Sequence, residues 1–262
     1  MSDSAALEAN RSFTQAWEFW SRRSRSGEVS RFSGLTAAWM NVTWPACNLT
    51  FLSEPVRDEA DLESRARAAL EHASGRDRGW VFFVCTELLP EDLRPSSLEI
   101  LSRCGLNQAV ELTGMAADRL LPPRRPLPDL DLRRVGDRDT RRAFGEINAA
   151  AYGMPVEWGH EALDVEALWG SEAFGVVGYL DGKPVTTSET IALDGILYVA
   201  LVATLPEHQK KGYAEVAMRH SLTLASAATG FEKTILQASQ EGLRLYQEMG
   251  YRATSQFPGV VP

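Results

Sequence analysis

VATLPEHQKKGYA, residues 202–214, decides how the chain is read. It joins an apolar run, ILYVALVAT (196–204), to a helical pattern over 213–228. An apolar run of that length with no polar alternation predicts a central strand covered on both faces. The helix would turn Ala214, Ala217, Met218, Ser221, Leu222 and Ala225 inward. The first amides of a helix have no intrahelical acceptor, and the dipole makes that end positive. Gly212 lets a ligand approach the backbone closely, so a phosphate would fit at this turn. Lys210 and Lys211 could add charge. The same residues also make an ordinary strand-to-helix loop with solvated lysines, and the stretch alone leaves both readings open.

Outward from it, the pattern is strongly α/β. Asp131–Val135 reads as a short strand, and Asp137 caps a helix running to Tyr152. A second helix is expected near 160–169. Strands over 173–180 and 184–193 meet at Asp181-Gly182, and Asp194-Gly195 turns the chain into 196–204. In 184–193, alternation puts Val185, Thr187, Glu189 and Ile191 on one face. Beyond helix 213–228 come a strand at 233–238, a helix at 240–249 ended by Gly250, and a last strand from Tyr251. The two β-α-β crossovers should be right-handed with parallel neighbours.

Residues 121–130, LPPRRPLPDL, hold four of the thirteen prolines. Proline fixes φ and removes a donor, so this is an extended connector. It divides the chain into 1–120 and 131–262. The first part reads as a helix at 4–24, strands at 35–41 and 46–53, a helix at 58–73, a strand at 80–88, a Ser-capped helix at 96–104 and an extended segment from Asn107. Its order repeats that of the second part, and LEILSRCGLNQA (98–109) lies over LRLYQEMGYRAT (243–254) with Gly105 over Gly250.

Composition narrows the function. With 44% hydrophobic and 24% charged residues the chain is a soluble globular type. A net charge of −8 argues against nucleic acid as a partner, which calls for a basic face. No run is apolar over the twenty or so residues that span a membrane. Three scattered cysteines without a C-x-x-C pair read as reduced thiols of a cytoplasmic protein. Four histidines without ligand spacing suggest no metal site.

The order Val202 to Ala214 resembles the Q/R-x-x-G-x-G/A signature of the GCN5-related N-acetyltransferase (GNAT) family. Gly242-x-x-Leu245-Tyr246-x-x-x-Gly250-Tyr251 resembles that family's second signature, and the resemblance covers about 129–262. It implies a mixed sheet flanked by helices, with two parallel strands, 196–204 and 233–238, that splay apart around acetyl-CoA. Backbone groups of Val202, Ala203 and Thr204 would pair with the pantetheine arm. Gln209, Lys210, Lys211, Gly212, Tyr213 and Ala214 would hold the pyrophosphate. Tyr246 would protonate the leaving thiolate. Ser239 stands where the family often has Asn, which weakens that contact. No acid lies on 196–204, so Glu189 becomes the candidate base, with a solvated outward face as its alternative. The acceptor implied is a small-molecule or peptide amine, and homodimer formation is compatible with it. Tyr152, Trp158 and Trp169 would line an aromatic mouth or simply pack in the core.

The first part lacks this equipment. Glu54, Asp58, Glu59 and Asp61 crowd the corresponding helix start, and Leu101 stands where Tyr246 would be. It is expected to be a degenerate GNAT-like domain, giving two GNAT-like mixed sheets in tandem. An acyl-CoA-binding sensor or interaction protein without turnover is the competing expectation.

Overall fold

The computed structural model describes residues 3–262. The first half contains α1 (Asp3–Arg23), β1 (Glu28–Phe32), β2 (Leu35–Trp39), β3 (Asn48–Leu52), α2 (Glu59–Ala73), β4 (Val81–Phe83), α3 (Ser97–Arg103) and β5 (Asn107–Ala117). The second contains β6 (Asp131–Arg134), α4 (Arg138–Ala151), α5 (Val156–Leu163), β7 (Ala173–Leu180), β8 (Lys183–Leu193) and β9 (Ile196–Thr204). It continues with α6 (Tyr213–Thr229), β10 (Thr234–Ala238), α7 (Leu243–Glu248) and β11 (Arg252–Val261). The mixed α/β class is as expected.

The eleven strands of the described residues join in one sheet, in the order β1-β2-β3-β4-β11-β5-β10-β9-β8-β7-β6. The two expected sheets are therefore continuous. The halves exchange their last strands: β5 lies between β10 and β11, and β11 lies between β4 and β5. As expected, β9 and β10 are parallel neighbours across α6. In the first half β3 and β4 are likewise parallel across α2. The second crossover differs from expectation, because β5 separates β10 from β11 and pairs antiparallel with both.

Helix α1 fastens the two halves. Phe13 packs with ring centroids 4.9 Å from Phe51, 5.1 Å from Phe83 and 5.5 Å from Phe257. On both sides of Phe13, α1 also touches the second half. Gln237 Nε2 donates to Ala9 O at 3.3 Å, Arg11 and Gln15 bond to Asp194, and Arg23 pairs with Glu172.

Several elements are shorter than their hydrophobic runs. The run 80–88 is a strand only at 81–83, then a 3-10 turn at 86–88. The expected helix at 160–169 is α5 plus a 3-10 turn at 166–168, and the run 240–249 is helical only at 243–248. Apolar runs mark burial without fixing the backbone period. Ser96 makes no side-chain cap bond, whereas Asp137 accepts from the Thr140 amide at 2.8 Å. Strand β1 went unread, its EVSRF lacking a continuous apolar run. The three cysteines are free thiols, and burial pushes those of Cys47 and Cys85 up to about 12.

One buried ion pair ties up the first half. The Arg65 side chain, 7% exposed, pairs with Asp61 at 2.9 Å and donates to the carbonyls of Glu54 and Pro55, each at 2.7 Å. The Arg65 guanidinium holds the Asp61 carboxyl well below its usual range. Breaking such a pair strands a buried charge. Arg65→Ala should destabilise the protein by roughly 3 kcal/mol in urea melts at neutral pH. The deficit should shrink as pH falls and Asp61 takes up its proton.

Candidate active site

The parallel pairing of β9 and β10 stops at Val199 and Leu236, although β9 continues to Thr204. Beyond that point the strands part. Here β9 departs from the expected full coverage: Ala200, Leu201 and Val202 are only partly buried, with buried residues before and after them. A register shift falls at the same place, where Thr187 faces Ala203 but Glu189 faces Ala200. This is a β-bulge on β9, and Leu201 adopts φ +51° within it.

A left-handed leucine is unfavourable by about 1–2 kcal/mol, so its neighbours must hold it. Thr187 Oγ1 donates to Leu201 O at 3.0 Å and accepts from Asn148 Nδ2 at 3.0 Å. Asn148 is fully buried in α4 and also bonds Phe144 O. A relay from α4 through β8 thus fixes the bulge. Val202, Ala203 and Thr204 run along the parted edge just beyond it.

Past Thr204 a 3-10 turn, Pro206–His208, leads to Gln209. Lys210 and Gly212 both have positive φ, +62° and +88°. The first α6 bond is donated by Val216 to Gly212 O. Among the described residues, nothing accepts from the amides of Lys210, Lys211, Gly212, Tyr213 or Ala214. This is a run of open donors at the positive end of a long helix, the form of an anion cradle. The Lys211 ammonium donates to Glu207 O at 2.9 Å, so it braces its own loop. Gln209 Nε2 reaches back toward Thr204 O at 3.4 Å. Ser239 follows β10 on the other side of the gap, and its carbonyl accepts from Gly242 and Leu243.

The corresponding turn in the first half is closed. Asp58 caps α2 by accepting from the Asp61 amide, and Asp61 accepts from the Arg57 amide. The guanidinium of Arg65 fills the space beside Gly34 and consumes the loop carbonyls. Acid groups and one internal cation occupy the positions that are open at α6.

Tyr246 projects from α7 and is 8% exposed. Burial pushes its phenol upward, and the neighbouring Tyr152 phenol adds to this. Burial also raises the Tyr198 and Tyr251 phenols, with Tyr246 adding to both, and the Tyr246 and Tyr251 rings lie 5.9 Å apart. Tyr198 donates to Gln237 Oε1 and Tyr251 bonds Thr234, whereas the Tyr246 hydroxyl has no partner among the described residues.

Glu189 is not on a solvated face; its exposure is 0%. Trp20 Nε1 donates to Oε1 at 3.4 Å, and Oε2 has no partner among the described residues. Burial pushes the carboxyl up to about 8. The sequence could not show this, because the cover is α1, far away in the chain.

The aromatic mouth is only partly as expected. Tyr152 is exposed, but Trp169 packs on Phe144 and donates to Leu163 O, which makes it a core residue. Trp158 is half-buried against the core. The ring that joins Tyr152 is Trp44, with centroids 5.9 Å apart. It comes from the first half, and no local pattern in the sequence links the two. His160 bonds Glu146 at 2.8 Å and Arg142 at 3.1 Å between α4 and α5. Among the described residues no group of His, Cys, Asp and Glu could hold a metal ion, and no helix is long and apolar enough to cross a membrane.

Comparison with solved structures supports the fold along the whole chain. A GCN5-related N-acetyltransferase from Kribbella flavida is 20% identical, with a TM-score of 0.71, over 97% of this chain and 94% of that one. A GCN5-related N-acetyltransferase-like protein from Streptococcus suis is 13% identical, with a TM-score of 0.53, over 97% and 98%. A functionally unknown conserved protein from Staphylococcus epidermidis is 14% identical, with a TM-score of 0.59, over 88% and 92%. At these identities the likeness shows the fold alone. A search of curated proteins finds no match. The model of the acetyltransferase (GNAT) family matches residues 142–251, which include the bulge, the open amides and Tyr246. The stretch that holds the parted strands and the open helix start is thus the part of the chain that is similar to the acetyltransferase (GNAT) family, over residues 142–251.

Proposed function

We propose that the protein is an N-acetyltransferase that moves an acetyl group from acetyl-CoA to an amine by direct attack in a ternary complex. The observation that carries this reading is the parting of β9 and β10 beside a pinned bulge, leading into the open amides of Lys210 to Ala214. In the gap, backbone of Val202, Ala203 and Thr204 would pair with the pantetheine arm as an added strand. Gln209 to Ala214 would hold the pyrophosphate, with Ser239 a minor contact. Residues 131–262 would be the working part, 121–130 the connector, and 1–120 a GNAT-like part without coenzyme. Its closed counterpart turn at Asp58–Arg65 supports that division.

The reaction needs a nucleophilic amine, a stabilised oxyanion and a protonated leaving group. The acceptor nitrogen attacks the thioester carbonyl, and an amide near Val202 would stabilise the oxyanion. As the C–S bond breaks, Tyr246 gives its proton to the thiolate. Its raised pKa keeps it protonated at neutral pH, and its hydroxyl is not committed elsewhere. The ammonium proton passes through water to Glu189, the nearest buried carboxyl to the bulge in register. Holding both reactants in the gap supplies much of the remaining rate. The acceptor would be a small-molecule or peptide amine entering beside Tyr152 and Trp44. A reducing, cytoplasmic setting accords with the free thiols. The competing reading, an acyl-CoA-binding sensor without turnover, draws on the way Trp20 covers Glu189.

An acceptor screen that detects free CoA thiol separates the two: release above hydrolysis with some amine is expected, and hydrolysis alone across a broad amine set favours the sensor. Tyr246→Phe should lower kcat by ten- to a hundredfold with near-normal coenzyme affinity, within the usual range for acid–base groups and below. Unchanged kcat removes Tyr246 from the acid role.

Glu189→Gln has two readouts. The wild-type rate should rise with pH through about 8, as a base requires, and the variant should lose that limb. Folded Glu189 holds its proton above the ordinary value of 4.5, so wild-type stability should fall as pH rises from there toward 8. The neutral variant should therefore be more stable at pH 7, by on the order of 2 kcal/mol. A less stable variant would mean that the carboxylate is charged and paired.

A further inference from the structure

The proline-rich connector does not hang free between the halves. At its start, the Leu121 amide donates to Met249 O at 2.9 Å, and Arg219 of α6 donates to Leu121 O at 2.8 Å. Leu121 also lies so close to Gly250 that an added Cβ there would meet its Cγ at 2.9 Å. Next, the Arg124 guanidinium comes within 4.0 Å of Glu248 on α7. At the far end Leu130 packs on Gly178 of β7. Between these anchors the connector crosses the start of α6. A Cβ on Gly212 would lie 3.3 Å from Pro128 Cδ and 3.6 Å from the nearer terminal nitrogen of Arg125.

We propose that Arg125 is a ligand of the coenzyme pyrophosphate, so that the connector forms one wall of the coenzyme site. The proposal rests on the acetyl-CoA reading above. Arg125 is exposed and, among the described residues, has no hydrogen bond and no ion pair, unlike its neighbour Arg124. Glu248, the acid whose field it shares, is already bonded to Arg244 at 3.0 Å. The guanidinium thus stands unpaired within reach of Gly212, where the open amides begin α6. A planar guanidinium can bond two phosphate oxygens at once. Pro122, Pro123, Pro126 and Pro128 stiffen the backbone on both sides, so little freedom is lost when Arg125 engages a ligand. Lys211 is held by Glu207 O. Of the loop's two lysines only Lys210 is left uncommitted, and Arg125 adds a second free cation from outside the loop.

Calorimetric titration with CoA and with 3′-dephospho-CoA tests this without relying on turnover. Arg125→Ala should weaken both ligands about five- to tenfold, equally, because both carry the pyrophosphate. Arg125→Lys should recover part of the loss. Arg124→Ala removes the same charge one residue away and should change affinity no more than about twofold. Melting curves without coenzyme should coincide for all variants. Wild-type binding with unchanged or tighter binding by Arg125→Ala would overturn the proposal, as would equal losses in the Arg124 and Arg125 variants or a loss confined to CoA. Absence of wild-type binding would overturn the coenzyme reading itself, and this proposal with it.

Discussion

The exchange of β5 and β11 is the constraint from which the rest of the molecule follows. Each half ends in a strand that completes the sheet of the other, and the two strands pair along nearly their whole lengths. Neither half can close its sheet alone. The central strands are thereby paired on both edges, and the exposed edges are left to β1 and β6. Because β5 ends in the middle of the sheet and β6 lies at its far border, the connector must cross the second half. The route it takes passes over the start of α6.

The same arrangement shapes the site. Helix α1 belongs to the first half, yet it lies over β8, β9 and β10 and places Trp20 on Glu189. Trp44, also from the first half, stands by Tyr152. The two halves meet their helix starts in opposite ways. At α2 Asp58 and Asp61 take the amides of Asp61 and Arg57, and Arg65 takes the carbonyls of Glu54 and Pro55. At α6 the amides are open and the backbone turns left-handed at Lys210 and Gly212. An open cradle costs unsatisfied donors, which water covers until an anion arrives, whereas a closed turn adds to stability.

Much of this was legible in the sequence because it depends on local rules. The Asp-Gly turns, the Asp137 cap, the end of α3 at Gly105 and the start of α6 at Gly212 follow from the chemistry of those residues. The motif from Val202 to Ala214 located the parted strands, since the strand, the turn and the helix are contiguous in the chain. What could not be read is non-local. No periodicity shows that β5 will insert beside β10, or that Trp20 will bury Glu189 across more than 160 residues of chain. The run ILYVALVAT looked covered on both faces, and its opening at Ala200 to Val202 depends on a neighbour whose pairing stops at Leu236. For Trp169 the sequence left pocket wall and core both open, because aromatic side chains serve either, and the packing on Phe144 decides for the core.

The central claim is that one half of the chain holds the coenzyme and the other has closed its counterpart. Titration calorimetry of the wild-type protein with acetyl-CoA tests it most directly. A stoichiometry of one per chain is the predicted result; no binding, or two equivalents per chain, would contradict the account.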